Sequence, residues 1–302
     1  MDFGIYGDYF IDSRVAVSII IPIASILFLY LFFRRNSDPR ARSWSLGLML
    51  LSSIFLWLFL GLSLAFCYAF ANSYEFHEEA TLAAVFGRAL LLASAAGLPL
   101  AILLRRLSPR ILLEKVDVFT LPPQGQLRES FDRLRRKMDI PTAELLLSKT
   151  DAPISFALDT KTPVVVMSQN LIPLLRKDEL EAVMAHELAH IKNSDTYLKA
   201  LVTAYKAALP HDPVIRLVEA AFHREREMVA DETAVNVTGK PLSLASALLK
   251  IYEAFPKNSV RSYGTFSILG SGSSLMRRHP PIINRVNELI YRSQTRKFNG
   301  RR

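Results

Sequence analysis

The stretch VMAHELAHIKNSD, Val183 to Asp195, carries His186, Glu187 and His190 within an otherwise helix-like, largely apolar run. Residues i and i+4 lie one turn apart on the same helix face. His186 and His190 can therefore aim two ring nitrogens at one point, with Glu187 beside it. This is the H-E-x-x-H arrangement, two metal ligands and a general base. A lone histidine on an apolar helix face is ordinarily a hydrogen-bonded core residue. That account does not cover two of them at i,i+4, a glutamate between them, and small residues at Ala185 and Ala189.

A catalytic zinc takes three protein ligands and keeps one position open. The stretch HREREMVADE, from His223, is a helix expected to pack against the first. On it Glu227 and Asp231 are one turn apart, so Glu227 could bind the metal while Asp231 accepts the spare N–H of a ligating histidine. His223 lies one turn before Glu227 and is the competing ligand. The charged cluster also reads as a solvated face with i,i+4 pairs.

The group of motifs resembles a known family. H-E-L-A-H from His186, R-x-R-E-x-x-A-D from Arg224 to Asp231, and H-P-x-x-x-x-R from His279 to Arg285 are similar to the HtpX and CAAX-prenyl-endopeptidase family of membrane metallopeptidases. The resemblance covers about Gln126 to Ile290. It implies a gluzincin-type zinc endopeptidase with one Zn2+ per chain. The metal ligands are then His186, His190 and Glu227, with Asp231 behind them. Glu187 is the general base, and His279 and Arg285 lie near the substrate carbonyl. HIKNSD and HDPVIRLVEAAFHRERE also resemble the BlaR-type sensor metallopeptidases, which use the same ligands as membrane signal transducers. The two roles implied are membrane-protein quality control or processing, and a sensor that cuts a cytoplasmic regulator. A substrate peptide is expected to lie extended along an edge strand, with Thr162 to Met167 the best candidate.

Around these residues the pattern predicts an α+β, mostly helical domain with a small sheet. LRESFDRLRRKM is amphipathic and ends at Pro141. ELLLSK, PISFALD and TPVVVMS read as short strands. Helices are expected over Lys177 to Ser194, Thr196 to Leu209, Pro213 to Val237 and Leu242 to Phe255. Pro256 to Ser274 reads as loop, and the last dozen residues as a solvated basic tail.

The first third is different. Half of the 302 residues are hydrophobic, and the excess is concentrated there. Three runs, about 15–33, 44–70 and 81–104, have the length of membrane spans. They predict a membrane domain over 1–110 and a peptidase domain over 111–302. The segment before the first run lacks the basic start and small-residue cleavage site of a signal peptide, so an uncleaved span is expected. Arg34, Arg35, Arg40 and Arg42 follow the first run; Glu75, Glu78 and Glu79 follow the second; Arg105, Arg106, Arg110 and Lys115 follow the third. The positive-inside rule then places the chain in the cell membrane, multi-pass, with the N-terminus outside and the peptidase domain cytoplasmic. His77 falls on the far side and drops out as a ligand. The net charge of +9 is explained by the same rule, so no nucleic-acid partner is expected. Expected partners are protein or peptide substrates and the lipid bilayer. One cysteine, Cys67, excludes an intramolecular disulfide and a cysteine-based zinc knuckle.

Overall fold

The computed structural model describes residues 13–36, 38–72, scattered positions between 88 and 120, and then 125–158, 161–210, 212–254 and 282–299. The chain is mostly helical with one small mixed sheet, and it divides into two compact units.

The first unit takes residues 1–102 and 201–222. Its helices include α1 (Ser13–Arg35) and α2 (Pro39–Asn72). Among the described residues one helical stretch, Ala41–Leu62, is long and apolar enough to cross a membrane. The run expected over 15–33 is helical, and Pro22 lies inside it. The run expected over 81–104 falls in large part outside the described residues. Ile20, Ile21, Leu27 and Phe28 on α1, and Trp44, Leu51 and Phe55 on α2, are more than half exposed. So much apolar surface on long helices suits lipid contact rather than water. Asp212 is buried in this unit. Its Oδ1 accepts the N–H groups of Val214 and Ile215 at 2.7 and 3.3 Å, capping a helix whose first residue is Pro213. Its Oδ2 accepts from Ser53 Oγ and, at 3.0 Å, from Trp57 Nε1.

The second unit takes residues 103–200 and 223–302. Its sheet has the order β1 (Val118–Thr120), β2 (Glu144–Ser148), β4 (Val164–Ser168), β3 (Ser155–Leu158). β1 pairs antiparallel with β2, β2 parallel with β4, and β3 antiparallel with β4. This corrects the expected edge: the strand at Thr162 to Met167 lies in the middle, hydrogen-bonded on both sides. The physical reason is legible in its composition. VVVMS is buried at every position, and a strand buried on both faces is a central strand. The edge beside it is β3, at Ser155–Leu158.

The remaining helices are α3 (Gln126–Lys137), the short α4 (Leu171–Leu174), α5 (Lys177–Lys192), α6 (Asp195–Ala208), α7 (Pro213–Thr238), α8 (Pro241–Ala254) and α9 (Ile282–Asn299). The stretch expected as a basic tail is thus helical to Asn299. Arg292 there pairs with Glu288 at 2.9 Å and with Glu232 at 3.6 Å. The core packs Phe131 and Met138, the β2 and β4 side chains Leu145, Val165 and Met167, and Val183, Leu188, Ala234, Leu248 and Leu289. α5 runs through the middle of it. Ala182, Val183, Ala185, Leu188 and Ala189 have no exposure, and small residues let neighbouring elements approach it closely.

Candidate metal centre

α5 is held at its start by Glu179. Its Oε2 accepts the Arg176 backbone N–H at 2.7 Å, closing a first turn that also holds Asp178. The same carboxylate accepts from Ser246 Oγ and Lys250 Nζ on α8, each at 2.7 Å. Burial pushes this carboxyl up, but Lys250, the Arg176 N–H, Ser246 and the Arg176 guanidinium outweigh it and bring it to about 2.

Two turns further along, α5 presents His186 and His190. Their Nε2 atoms face each other at 3.1 Å. Glu227 on α7 comes between them, with Oε2 3.5 Å from His186 Nε2 and Oε1 3.7 Å from His190 Nε2. Among the described residues these three side chains form the cluster whose ligand atoms lie mutually within 4.8 Å. The rival ligand His223 is not part of it.

The donor set fits a zinc ion. Ligands at the usual zinc distances define a tetrahedron with edges of ~3.3 Å, and the three separations bracket that value. Each of the other ring nitrogens has a carboxylate oxygen beside it. His186 Nδ1 lies 2.9 Å from Asp231 Oδ1, and His190 Nδ1 lies 2.6 Å from Asp195 Oδ2. A neutral imidazole that gives its one N–H to such a carboxylate keeps its lone pair on Nε2. Two lone pairs and a carboxylate buried at this spacing repel one another unless a cation or a proton lies among them. Burial opposes a proton on His186, yet Asp231 and Glu227 raise it to about 9. Burial takes His190 down to about 4, against Glu227 and with the help of His186.

Arg285 was expected beside the substrate carbonyl. It lies on α9, 1% exposed, with Nε and Nη2 donating to the two oxygens of Asp231 at 2.7 and 2.6 Å. Its Nη1 is 3.0 Å from Glu227 Oε2. Burial works against its charge, but Asp231 and Glu227 raise its pKa further. Asp231 is itself held below the usual carboxylate range: burial pushes it up, and Arg285 and His186 more than offset this. His279 lies outside the described residues.

Three site residues escaped the sequence reading. Ser155, at the start of β3, donates from Oγ to Glu187 Oε1 at 2.6 Å, and both side chains are buried. Asp195, the first residue of α6, reaches back to His190. Arg226, the neighbour of Glu227, pairs with Asp195. The signal for Asp195 was its place five residues after His190. Arg226 stood in the R-x-R-E-x-x-A-D motif without a role, and Ser155 carries no local signal.

The family model of the BlaR1 peptidase M56 matches residues 124–279. A protein named "Protease HtpX homolog" from Gemmatimonas aurantiaca is 30% identical over 217 residues, covering 57% of this chain and 77% of the relative. Another of the same name from Pyrococcus abyssi is 32% identical over 171 residues, or 45% of this chain and 59% of the relative. A third, from Thermococcus sibiricus, is 30% identical over 211 residues, or 54% and 72%. Among solved structures, the crystal structure of S. mikatae Ste24p superposes with a TM-score of 0.44 at 15% identity, covering 84% of this chain and 66% of that one.

Proposed function

The chain belongs to the HtpX-like metallopeptidases, with an M56 peptidase domain over residues 124–279, and on that footing we propose that it is a membrane-anchored zinc endopeptidase. It cuts protein substrates in membrane-protein quality control or processing. The observation that carries this is the convergence of His186, His190 and Glu227 on one point, with Glu187 one residue along the same helix.

His186, His190 and Glu227 hold the zinc, one per chain. A bound ion would supply Lewis-acid polarisation of the scissile carbonyl and would lower the pKa of a water. Glu187 takes the proton of the attacking water and returns it to the leaving amine. Ser155 occupies Oε1 of Glu187, so Oε2 serves as the base. Asp231 and Asp195 fix the rings of His186 and His190 through their Nδ1 atoms. Arg285 acts on the site through Glu227 and Asp231, and His279 supports the substrate carbonyl. The edge of β3 offers backbone groups to an extended peptide, which binds without strong sequence preference. The apolar exteriors of α1 and α2 support an anchor in the membrane, and the arginines after the first and third apolar runs support a multi-pass chain with the N-terminus outside and the peptidase unit cytoplasmic.

The test is casein cleavage by the purified full chain, with elemental analysis for zinc. Activity should require zinc, vanish with a chelator, and vanish in Glu187→Gln while zinc stays bound. A zinc-free, inactive wild-type protein overturns the reading.

The match of 124–279 to the BlaR1 peptidase model favours a second reading, a sensor that cleaves a cytoplasmic regulator. Substrate trapping with Glu187→Gln separates the two. A single soluble regulator supports the sensor, and an assortment of membrane proteins supports quality control.

A further inference from the structure

We propose that Asp195 and Arg226 are the positioning pair for the metal ligand His190, built as a second copy of the arm that holds His186. The proposal rests on the zinc-site reading above.

The two arms match in chemistry. His186 Nδ1 lies 2.9 Å from Asp231 Oδ1, and Asp231 is gripped by Arg285. His190 gives Nδ1 to Asp195, and Asp195 is gripped by Arg226. Each is a histidine, an aspartate and an arginine in series. They come from different places in the chain. Asp231 and Arg285 lie on α7 and α9, whereas Asp195 opens α6 and Arg226 lies on α7 beside Glu227.

An aspartate in the first turn of a helix has an ordinary use, favourable interaction with the helix dipole. Asp195 spends its oxygens elsewhere. Oδ2 sits 2.6 Å from His190 Nδ1, and Oδ1 meets the Arg226 guanidinium. The corner between α5 and α6 is shaped for this. Ser194 takes a φ of 53°, a left-handed conformation that costs a non-glycine residue energy. That turn brings Asp195 back over the last turn of α5. Arg226 Nη2 also donates to the Asn193 carbonyl at 2.6 Å, so one guanidinium grips the corner at both Asn193 and Asp195. Nη2 carries two N–H bonds, so this one nitrogen can serve both the carbonyl and the carboxylate.

α7 therefore addresses His190 from both sides. Glu227 faces Nε2, and Arg226, one residue earlier, reaches Nδ1 through Asp195. With its Nδ1 proton on Asp195, His190 keeps its lone pair on Nε2, toward His186 and Glu227.

The test uses the full chain in detergent micelles, stripped of metal and titrated with Zn2+ against a fluorescent chelator. Asp195→Ala should weaken zinc binding about 10- to 100-fold, the usual cost of losing such a partner. Asp195→Asn, nearly the same size, should show a smaller loss and guards against simple misfolding. Arg226→Ala should weaken binding in the same direction. The double variant Asp195→Ala/Arg226→Ala should bind no more weakly than Asp195→Ala alone, because Arg226 acts through Asp195. With Co2+ in place of Zn2+, the visible absorption bands of Asp195→Ala should shift, which a loss of stability alone does not produce. Wild-type zinc affinity in both Asp195 variants overturns the proposal, and so do additive losses in the double variant. A wild-type chain that takes up no zinc overturns the metal-site reading and this proposal together. A zinc-binding wild type matched by its Asp195 variants overturns this proposal alone.

Discussion

Ser155 Oγ and Glu187 Oε1 are 2.6 Å apart, so the edge strand β3 and the carboxylate at the centre of H-E-x-x-H are joined by a single hydrogen bond. Both residues are nearly inaccessible, at 1% and 2% exposure. The bond selects which oxygen of Glu187 is left for a water. It also means that a displacement of β3 moves the base.

Ser155→Ala should therefore lower kcat by about tenfold, the loss expected when ~1.4 kcal/mol of orientation is removed. KM and zinc content should stay near wild type. Ser155→Thr, which keeps the hydroxyl, should recover most of the rate. Steady-state kinetics on a fluorogenic peptide measures this, and an unchanged kcat in Ser155→Ala would refute the orienting role.

Glu187→Gln should reduce turnover by a factor on the order of 10²–10⁴ or more, because the amide cannot accept the proton. Zinc stoichiometry should be unchanged, since Glu187 lies outside the ligand triad. Peptide turnover and elemental analysis on the same preparation decide the point.

Arg285→Ala leaves Asp231 and Glu227 buried without their shared countercharge. Breaking one side of a buried ion pair costs about 3–5 kcal/mol, so the variant should melt well below wild type. Arg285→Lys should recover only part of this, as an ammonium cannot make the two-point contact with Asp231. Thermal unfolding with and without added zinc checks both. Equal melting of Arg285→Ala and wild type would contradict the burial argument.

Acid should loosen the attachment of α8 to α5. Glu179 titrates at about 2 in the folded chain against an ordinary 4.5. Its folded value is depressed, so its contribution is fully present above pH 4.5 and is lost as pH falls toward 2. Glu179→Gln should lower stability near neutrality and flatten its pH dependence between those limits. Denaturant unfolding at a series of pH values measures the slope; parallel curves for variant and wild type would exclude the effect.

Some of this was readable from the residues because it is local. The i,i+4 spacing of His186 and His190 follows from helix geometry, and so does the spacing of Glu227 and Asp231 on their own helix. The helices expected over Lys177 to Ser194 and Pro213 to Val237 form as Lys177–Lys192 and Pro213–Thr238, because periodicity and flanking turn residues mark their limits. What needed the tertiary structure is whatever depends on partners distant in the chain. Which strand forms the edge depends on hydrogen bonds to other strands, and it put β3 where Thr162 to Met167 was expected. The choice between Glu227 and His223, one turn apart on nearly the same face, depends on how far along its axis α7 is set against α5, a shift of ~6 Å. Ser155 and Arg226 enter the site by the same route, and so does the pairing of Arg285 with Asp231. The sequence by itself determined the chemistry available on each helix face. Packing decided which faces meet, because buried charges are stable only where a complementary group from elsewhere in the fold arrives to pair with them.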